Sequence, residues 1–196
     1  MKPAIADSAL DQIFRGAHTA QGFTPEPVPD ATLHALYDLL KWGPTSLNCQ
    51  PARYVFVRSA AAKERLRPAL GPSNVGKTMA APVTVIVASD MRFHEHLPSQ
   101  FPAYDARPMF ENNETARQTT AFRNATLQGA YLIIAARALG LDCGPMSGFE
   151  PAKVDAEFFP DGRLRSNFLV NLGVADTAKT HPRGPRLDFG AVAQIL

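Results

Sequence analysis

A chain of 196 residues, 45% hydrophobic and 19% charged, is long enough to bury one ordinary core and too short for two of comparable size. It is read as a single domain over residues 1–196, and two cysteines supply neither a disulfide framework nor a zinc site. No apolar run approaches the roughly 20 residues of a membrane span, Asp7 and Asp11 interrupt any signal-peptide core, and a net charge of +2 from scattered basic residues argues against nucleic acid. The expectation is a soluble, cytoplasmic protein acting on a small molecule, with no membrane or nucleic-acid partner and no metal.

The first clear element begins at Asp30, read as an N-cap. Leu33, Leu36, Tyr37 and Leu40 recur at helical spacing behind it, and Gly43-Pro44 stops the helix. A loop, TSLNCQPA, leads into RYVFVR, whose β-branched and aromatic content predicts a strand. A helix is expected over residues 60–70. VTVIVA, residues 83–88, is a continuous apolar run of the kind found in strands covered on both faces. Residues 91–114, with three prolines and no period, read as a long excursion or lid rather than core. Residues 115–139 carry good helix formers and a wide apolar face, closed by Gly140, and predict the central buried helix. A turn, LDCGPMSGF, a short helix after Pro151, the strand SNFLVNLGVA and a tail rich in Pro and Arg complete an α+β pattern. About four strands are expected, mixed in order, with several helices.

Gly71-Pro-Ser-Asn-Val-Gly-Lys77-Thr78 is a literal match to the phosphate-loop pattern. Its context opposes that reading, because a phosphate loop leaves a strand and opens a helix. Here a helix is expected before the string, and a strand follows Pro82. His94-Glu95-His96 has a spacing that points its imidazoles apart, and reads as a solvent-facing loop rather than a metal pair. Cys143 has no histidine partner that sequence identifies. Ser147 lacks the upstream glycine of a nucleophile elbow.

Four segments remain: His18-Thr19-Ala-Gln21-Gly-Phe23; Gly43-Pro44-Thr45-Ser46-Leu-Asn48-Cys-Gln50-Pro51; Asn74-x-x-Lys77; and Ala138 through Pro145-Met146-Ser147-Gly148-Phe149. In order and spacing they resemble the FMN-dependent nitroreductase family, from about residue 10 to the C-terminus. Within it, KWGPTSLNCQPARYVF, RLRPAL, AAPVTVIVA and ALGLDCGPMSGF look like the malonic semialdehyde reductase branch of pyrimidine degradation.

The resemblance implies an FMN oxidoreductase of mixed central sheet flanked by helices, built as an intertwined homodimer and taking hydride from NADH or NADPH. His18 and Thr19 fall at the family's FMN phosphate and ribityl contacts, while Gln21 stands where a cation is usual. That departure leaves Arg15, Arg183 and Arg186 as substitutes; as guanidinium groups they suit phosphate, and the family counterparts of the tail arginines sit there, with solvated surface arginines as the lesser alternative. Pro44, Thr45, Ser46 and Asn48 match a loop that reaches onto the partner's flavin. Asn74 and Lys77 match contacts to the pyrimidine edge, where a lysine stabilises charge developing on reduction. Pro145, Met146, Ser147 and Gly148 match the turn whose backbone N–H faces flavin N5. Many relatives carry Glu at the Ser147 position, so a serine there suits an anionic acceptor such as malonic semialdehyde, with Arg107 and Arg123 as candidate partners of its carboxylate. Quinone or nitroaromatic reduction is the broader alternative, and flavin storage without turnover the rival from another class. A carbonyl acceptor needs a proton, for which solvent, Ser147 or Thr45 would serve.

Overall fold

The computed structural model describes all residues, 1–196. Its centre is a four-stranded sheet in the order β1-β2-β4-β3, formed by β1 (Ala52–Val57), β2 (Val83–Asp90), β3 (Asp142–Met146) and β4 (Leu164–Gly173). Every ladder is antiparallel, which corrects the expectation of a mixed sheet. Parallel pairing survives only as an isolated bridge between Thr19 and Cys143.

The middle strand behaves as its apolar run predicts, for all eight residues of β2 are buried. Alternation along the strand divides them between two cores. Val83, Val85 and Val87 face α1 (Asp30–Leu40) and α4 (Glu114–Ala138), meeting Leu36, Leu40 and Leu132. Ile86 and Ala88 face the opposite layer, where Leu66 of α2 (Ala60–Leu66), Val75 of α3 (Pro72–Ala80) and Val154 of α5 (Pro151–Phe158) pack. The result is helices on both faces of one sheet.

Local chemistry sets the helix ends. The Asn113 side chain accepts the Ala116 N–H at 3.0 Å to open α4, and Gly140, at φ +79, closes it in the left-handed conformation that glycine tolerates. Ser59 caps α2 through the Ala62 N–H. Asp30 is not a cap: Pro29 holds that position, Asp30 is the first helical residue, and its carboxylate pairs with Arg58. The helix expected over 60–70 ends at Leu66 and passes into a 3-10 turn over Arg67–Ala69.

Two segments differ more. LDCGPMSGF contains strand β3 rather than a turn alone; Pro145 fits because β3 is an edge strand whose only ladder is with β4, the single Thr19–Cys143 bridge aside, and a missing N–H costs nothing on the outer side. Residues 91–114 are packed rather than a bare lid. Phe93, Leu97, Ala106 and Phe110 are buried with Cys49 and Ala121 in a third cluster, the Phe93 and Phe110 rings meeting edge to face at 5.0 Å. His94 is buried in this segment, against the expectation of a solvent-facing loop. No helix is long and apolar enough to cross a membrane.

Candidate active site

The N-terminal loop, α3 and the turn after β3 converge at one end of the sheet. The Ala20 N–H donates to the Cys143 carbonyl at 2.9 Å, and the loop passes so close that a Cβ on Gly144 would lie 2.8 Å from the Ala20 carbonyl oxygen. Asp176 N–H to Gly22 O (3.0 Å) and Thr24 N–H to Val174 O (2.9 Å) fasten the same loop to the chain after β4.

The string Gly71 to Thr78 is neither a phosphate loop nor the plain loop the sequence suggests, because helix α3 begins inside it at Pro72. Proline suits the first helical position. A helix N-terminus therefore does exist here, contrary to the sequence reading, yet no strand precedes it and seven residues of the motif are wound into the helix itself. Asn74 and Lys77 consequently stand one turn apart. Asn74 is buried, and its Nδ2 donates to the Gly148 carbonyl at 2.8 Å. The same carbonyl accepts the Gly71 N–H at 2.9 Å. A Cβ at Gly148 would fall 2.6 Å from Asn74 Nδ2, so glycine is what lets turn and helix touch. Lys77 Nζ donates to Gln21 Oε1 at 3.3 Å; the glutamine found where a cation was expected is the lysine's partner.

Beneath these groups runs a polar chain that sequence reasoning missed. Thr84 Oγ1 donates to Asn171 Oδ1 at 2.7 Å, Asn171 Nδ2 to Thr78 Oγ1 at 3.3 Å, and Thr78 Oγ1 to Met146 Sδ at 3.6 Å, all buried. It ties β2, β4, α3 and β3 together. The Met146 side chain thereby points into the core, so of this residue only the backbone is presented at the turn. Ser147 lies exposed at the rim.

Next to the N-terminal loop is a polar cleft of about 350 Å³ lined by the arginines Arg137, Arg183 and Arg186 and the histidines His18 and His181; no carboxylate lines it. Thr19 and Gln21 also line it. Arg183 Nη2 donates to the carbonyls of Arg15 (2.6 Å) and Ala17 (2.8 Å), drawing the tail onto the loop. Arg137 was not foreseen. It closes the last turn of α4, its Nη1 donates to Ile13 O at 3.1 Å, and its buried Nε has no protein partner. His181 was missed likewise. Arg15 takes no part, because Asp7 (2.7 Å) and Asp11 (2.6 Å) hold its guanidinium. An acid-free cluster of cations with an orphaned guanidinium nitrogen fits a phosphate group.

The Pro44–Asn48 segment lies elsewhere. Ser46 N–H donates to Asn124 Oδ1 at 2.8 Å and Asn48 Nδ2 to Gln100 O at 2.9 Å. Asn124 and Arg137 are about 20 Å apart along α4 at 1.5 Å per residue. Leu47, Asn48 and Gln50 all have positive φ (53, 48 and 38), a conformation costing about 1–3 kcal/mol where the residue is not glycine. The two candidate carboxylate partners are also apart from the cleft. Arg107 is exposed and held by Asp105 at 2.8 Å; Arg123 lines an apolar groove on α4 with Phe122 and Leu127.

Neither cysteine is poised as a nucleophile. Burial pushes the Cys143 thiol up to about 12 and the Cys49 thiol up to about 11.

Residues 14–173 match the model of the Nitroreductase family. The chain belongs to that family. A nitroreductase-family relative from Burkholderia lata, named "Putative NADH dehydrogenase/NAD(P)H nitroreductase", is 62% identical over 191 residues, covering 97% of this chain and 98% of its own. A second with the same name, from Stenotrophomonas maltophilia, is 56% identical over 195 residues and the whole of both chains. Among solved structures, a "putative nitroreductase" of Bacillus subtilis superposes with a TM-score of 0.87 at 20% identity, over 97% of this chain and 100% of that one. Another, from Exiguobacterium sibiricum and in complex with FMN, gives 0.86 at 20% identity over the whole of both. These two likenesses show that the nitroreductase chain shares their fold.

Proposed function

We propose that this nitroreductase-family chain is a homodimeric FMN oxidoreductase that takes hydride from NADH or NADPH and passes it to a small acceptor. The observation that carries the reading is the acid-free cationic cleft of His18, Arg137, His181, Arg183 and Arg186, beside the hydrogen-bonded pair of Asn74 and the Gly148 turn. The names of the relatives support the nicotinamide donor, and the FMN complex of the Exiguobacterium protein supports the flavin.

In this reading the cleft holds the flavin phosphate. Lys77, held by Gln21, brings a fixed charge to the pyrimidine edge, and the 145–148 turn offers backbone N–H groups to the ring. The chemistry FMN supplies when bound is two-electron hydride exchange. The protein orients donor and acceptor and keeps water out of the slot; Ser147, exposed at the rim, or solvent delivers a proton to a carbonyl acceptor.

A second copy completes the slot. Phe122, Leu127 and Tyr131 are exposed along α4, as are Leu187, Phe189, Val192, Ile195 and Leu196 of the tail, large apolar side chains that a second copy would cover. Pairing across α4 would bring the strained Pro44–Asn48 loop of one protomer to the flavin of its partner.

The finer reading is that the acceptor is malonic semialdehyde or a related short acid-aldehyde, with Arg107 or Arg123 receiving its carboxylate. It rests on Ser147 in place of a glutamate, which would repel that substrate. Nitroaromatic or quinone reduction is the alternative, and the relatives' names favour the nitroreductase form of it. Ser147→Glu should raise KM for carboxylate-bearing aldehydes more than for neutral ones, and equal effects would end the acid-aldehyde reading.

The general reading is tested by absorbance. Purified protein should be yellow, bleach with NADPH or NADH under anaerobic conditions, and recover on adding an acceptor. A colourless protein that takes up no FMN would refute it, and bound flavin that neither nicotinamide reduces would mark a storage protein.

A further inference from the structure

The cationic cleft does not treat all its side chains alike. Each arginine spends donors on the backbone: Arg137 on Ile13 O, Arg183 on the Arg15 and Ala17 carbonyls, Arg186 on the Gly184 and Pro185 carbonyls. The two histidines do not. His18 is half-buried on the loop, His181 is exposed on the tail, both line the cleft, and no protein hydrogen bond engages either ring. With the unpaired Arg137 Nε they are free to grip an anion, and they are the only lining groups whose charge depends on pH in the neutral range.

We propose that His18 and His181 are proton-dependent ligands of the bound phosphate, so that the protein takes up protons as it takes up its phosphorylated cofactor and releases that cofactor as pH rises. The inference rests on the flavin reading above, and assigns His181 to the site. The physical argument is linkage. An imidazole titrates near about 6.5 when unperturbed, and an adjacent phosphate, largely dianionic above about pH 6, favours the imidazolium. Binding therefore raises the proton affinity of each ring, and a ring that must acquire a proton to bind weakens binding as protons become scarce.

The groups facing these rings reinforce the direction. Arg137 from α4, Arg183 and Arg186 from the tail, and Lys77 behind Gln21 are all positive, and no carboxylate lines the cleft with them, so a bound phosphate is the negative partner the rings would meet there. Asp11 and Asp142 line an adjoining cleft that shares Ala17 and Arg137 with this one, and are not among the residues that line this one. A shift of about one pH unit per ring corresponds to about tenfold in affinity each.

The test is the FMN dissociation constant of the apoprotein, read by flavin fluorescence from about pH 6 to about pH 9, with riboflavin as the ligand lacking phosphate. FMN affinity should fall ten- to hundredfold across that window, riboflavin affinity should stay level, and the H18Q/H181Q double variant should bind FMN weakly and evenly throughout. Proton NMR adds a readout independent of affinity: the two imidazole titrations should move to higher pH on adding FMN. A level FMN profile in the wild-type protein, the same slope for riboflavin, or an unchanged slope in the double variant would overturn the inference while leaving the flavin reading intact. FMN that binds at no pH would overturn both.

Discussion

Asn74→Ala offers a measurement in which stability and cofactor affinity move together for a stated reason. The Asn74 amide is buried and donates to the Gly148 carbonyl at 2.8 Å, but that carbonyl also accepts the Gly71 N–H at 2.9 Å. Truncation therefore loosens the turn without orphaning its acceptor. The loss is one net hydrogen bond, about 1 kcal/mol, with a small further loss for the space left at a buried position. For a chain of this size that lowers Tm by roughly 2–4 °C. If the turn must be held to receive the flavin ring, FMN affinity should drop by about tenfold, equivalent to about 1.4 kcal/mol. Asn74→Asp is the sharper variant, for it sets a carboxylate against a carbonyl oxygen at the same place and should exceed the alanine effect on both counts. Thermal unfolding of the apoprotein and FMN fluorescence titration measure the two quantities. Wild-type FMN affinity in both variants would show that the link between α3 and the turn has no part in binding.

Three further outcomes follow from the packing. Burial alone would raise the Asp90 carboxyl, but hydrogen bonds from Arg163 and the Arg92 N–H, with the charges of Arg53 and Arg163, hold it below its ordinary value. Its contribution to stability is therefore complete above about pH 4 and disappears as pH falls through the lower folded value; Asp90→Asn should cost about 3 kcal/mol at neutral pH, with a weaker acid dependence in chemical unfolding. Gly144→Ala pushes a Cβ against the Ala20 carbonyl, a backbone atom that cannot swing away. A loss of about 1–3 kcal/mol and weakened FMN binding are expected in unfolding and titration, and a neutral effect would mean the loop is not fixed there. Cys49 and Cys143, buried and with raised thiol values, should resist alkylation in the native protein and react on unfolding, as mass spectrometry would show; rapid native labelling would contradict their burial.

The sequence was most legible where local periodicity and burial agree. The apolar run at 83–88 became a strand covered on both faces, and the helices at Asp30–Leu40 and Glu114–Ala138 lie within one or two residues of their expected starts and stops. It was least legible where strong local cues point the wrong way. Gly71-Pro72 reads as a loop, yet Asn74, Val75 and Thr78 share one helical face that packs inward. Gly144-Pro145 reads as a turn, yet an edge strand accepts both residues. Three prolines made 91–114 look like a lid, because spacing does not show Phe93 and Phe110 closing on each other.

The candidate residues divide in the same way. His18, Thr19, Gln21, Asn74, Lys77 and the 145–148 turn could be picked from motif order, and the fold gathers them at one end of the sheet. Arg137 and His181 carried no signal of their own, being an ordinary helix-end arginine and a tail histidine.

By itself the chain determines which stretches are helix or strand, since those depend on backbone geometry and side-chain spacing within a few residues. Only the tertiary structure decides that a loop near residue 18, the end of α4 and the tail at 181–186 make one cleft without a carboxylate. That cleft arises from contacts between residues more than a hundred positions apart, set by how the helices close over the sheet, and no local pattern encodes them.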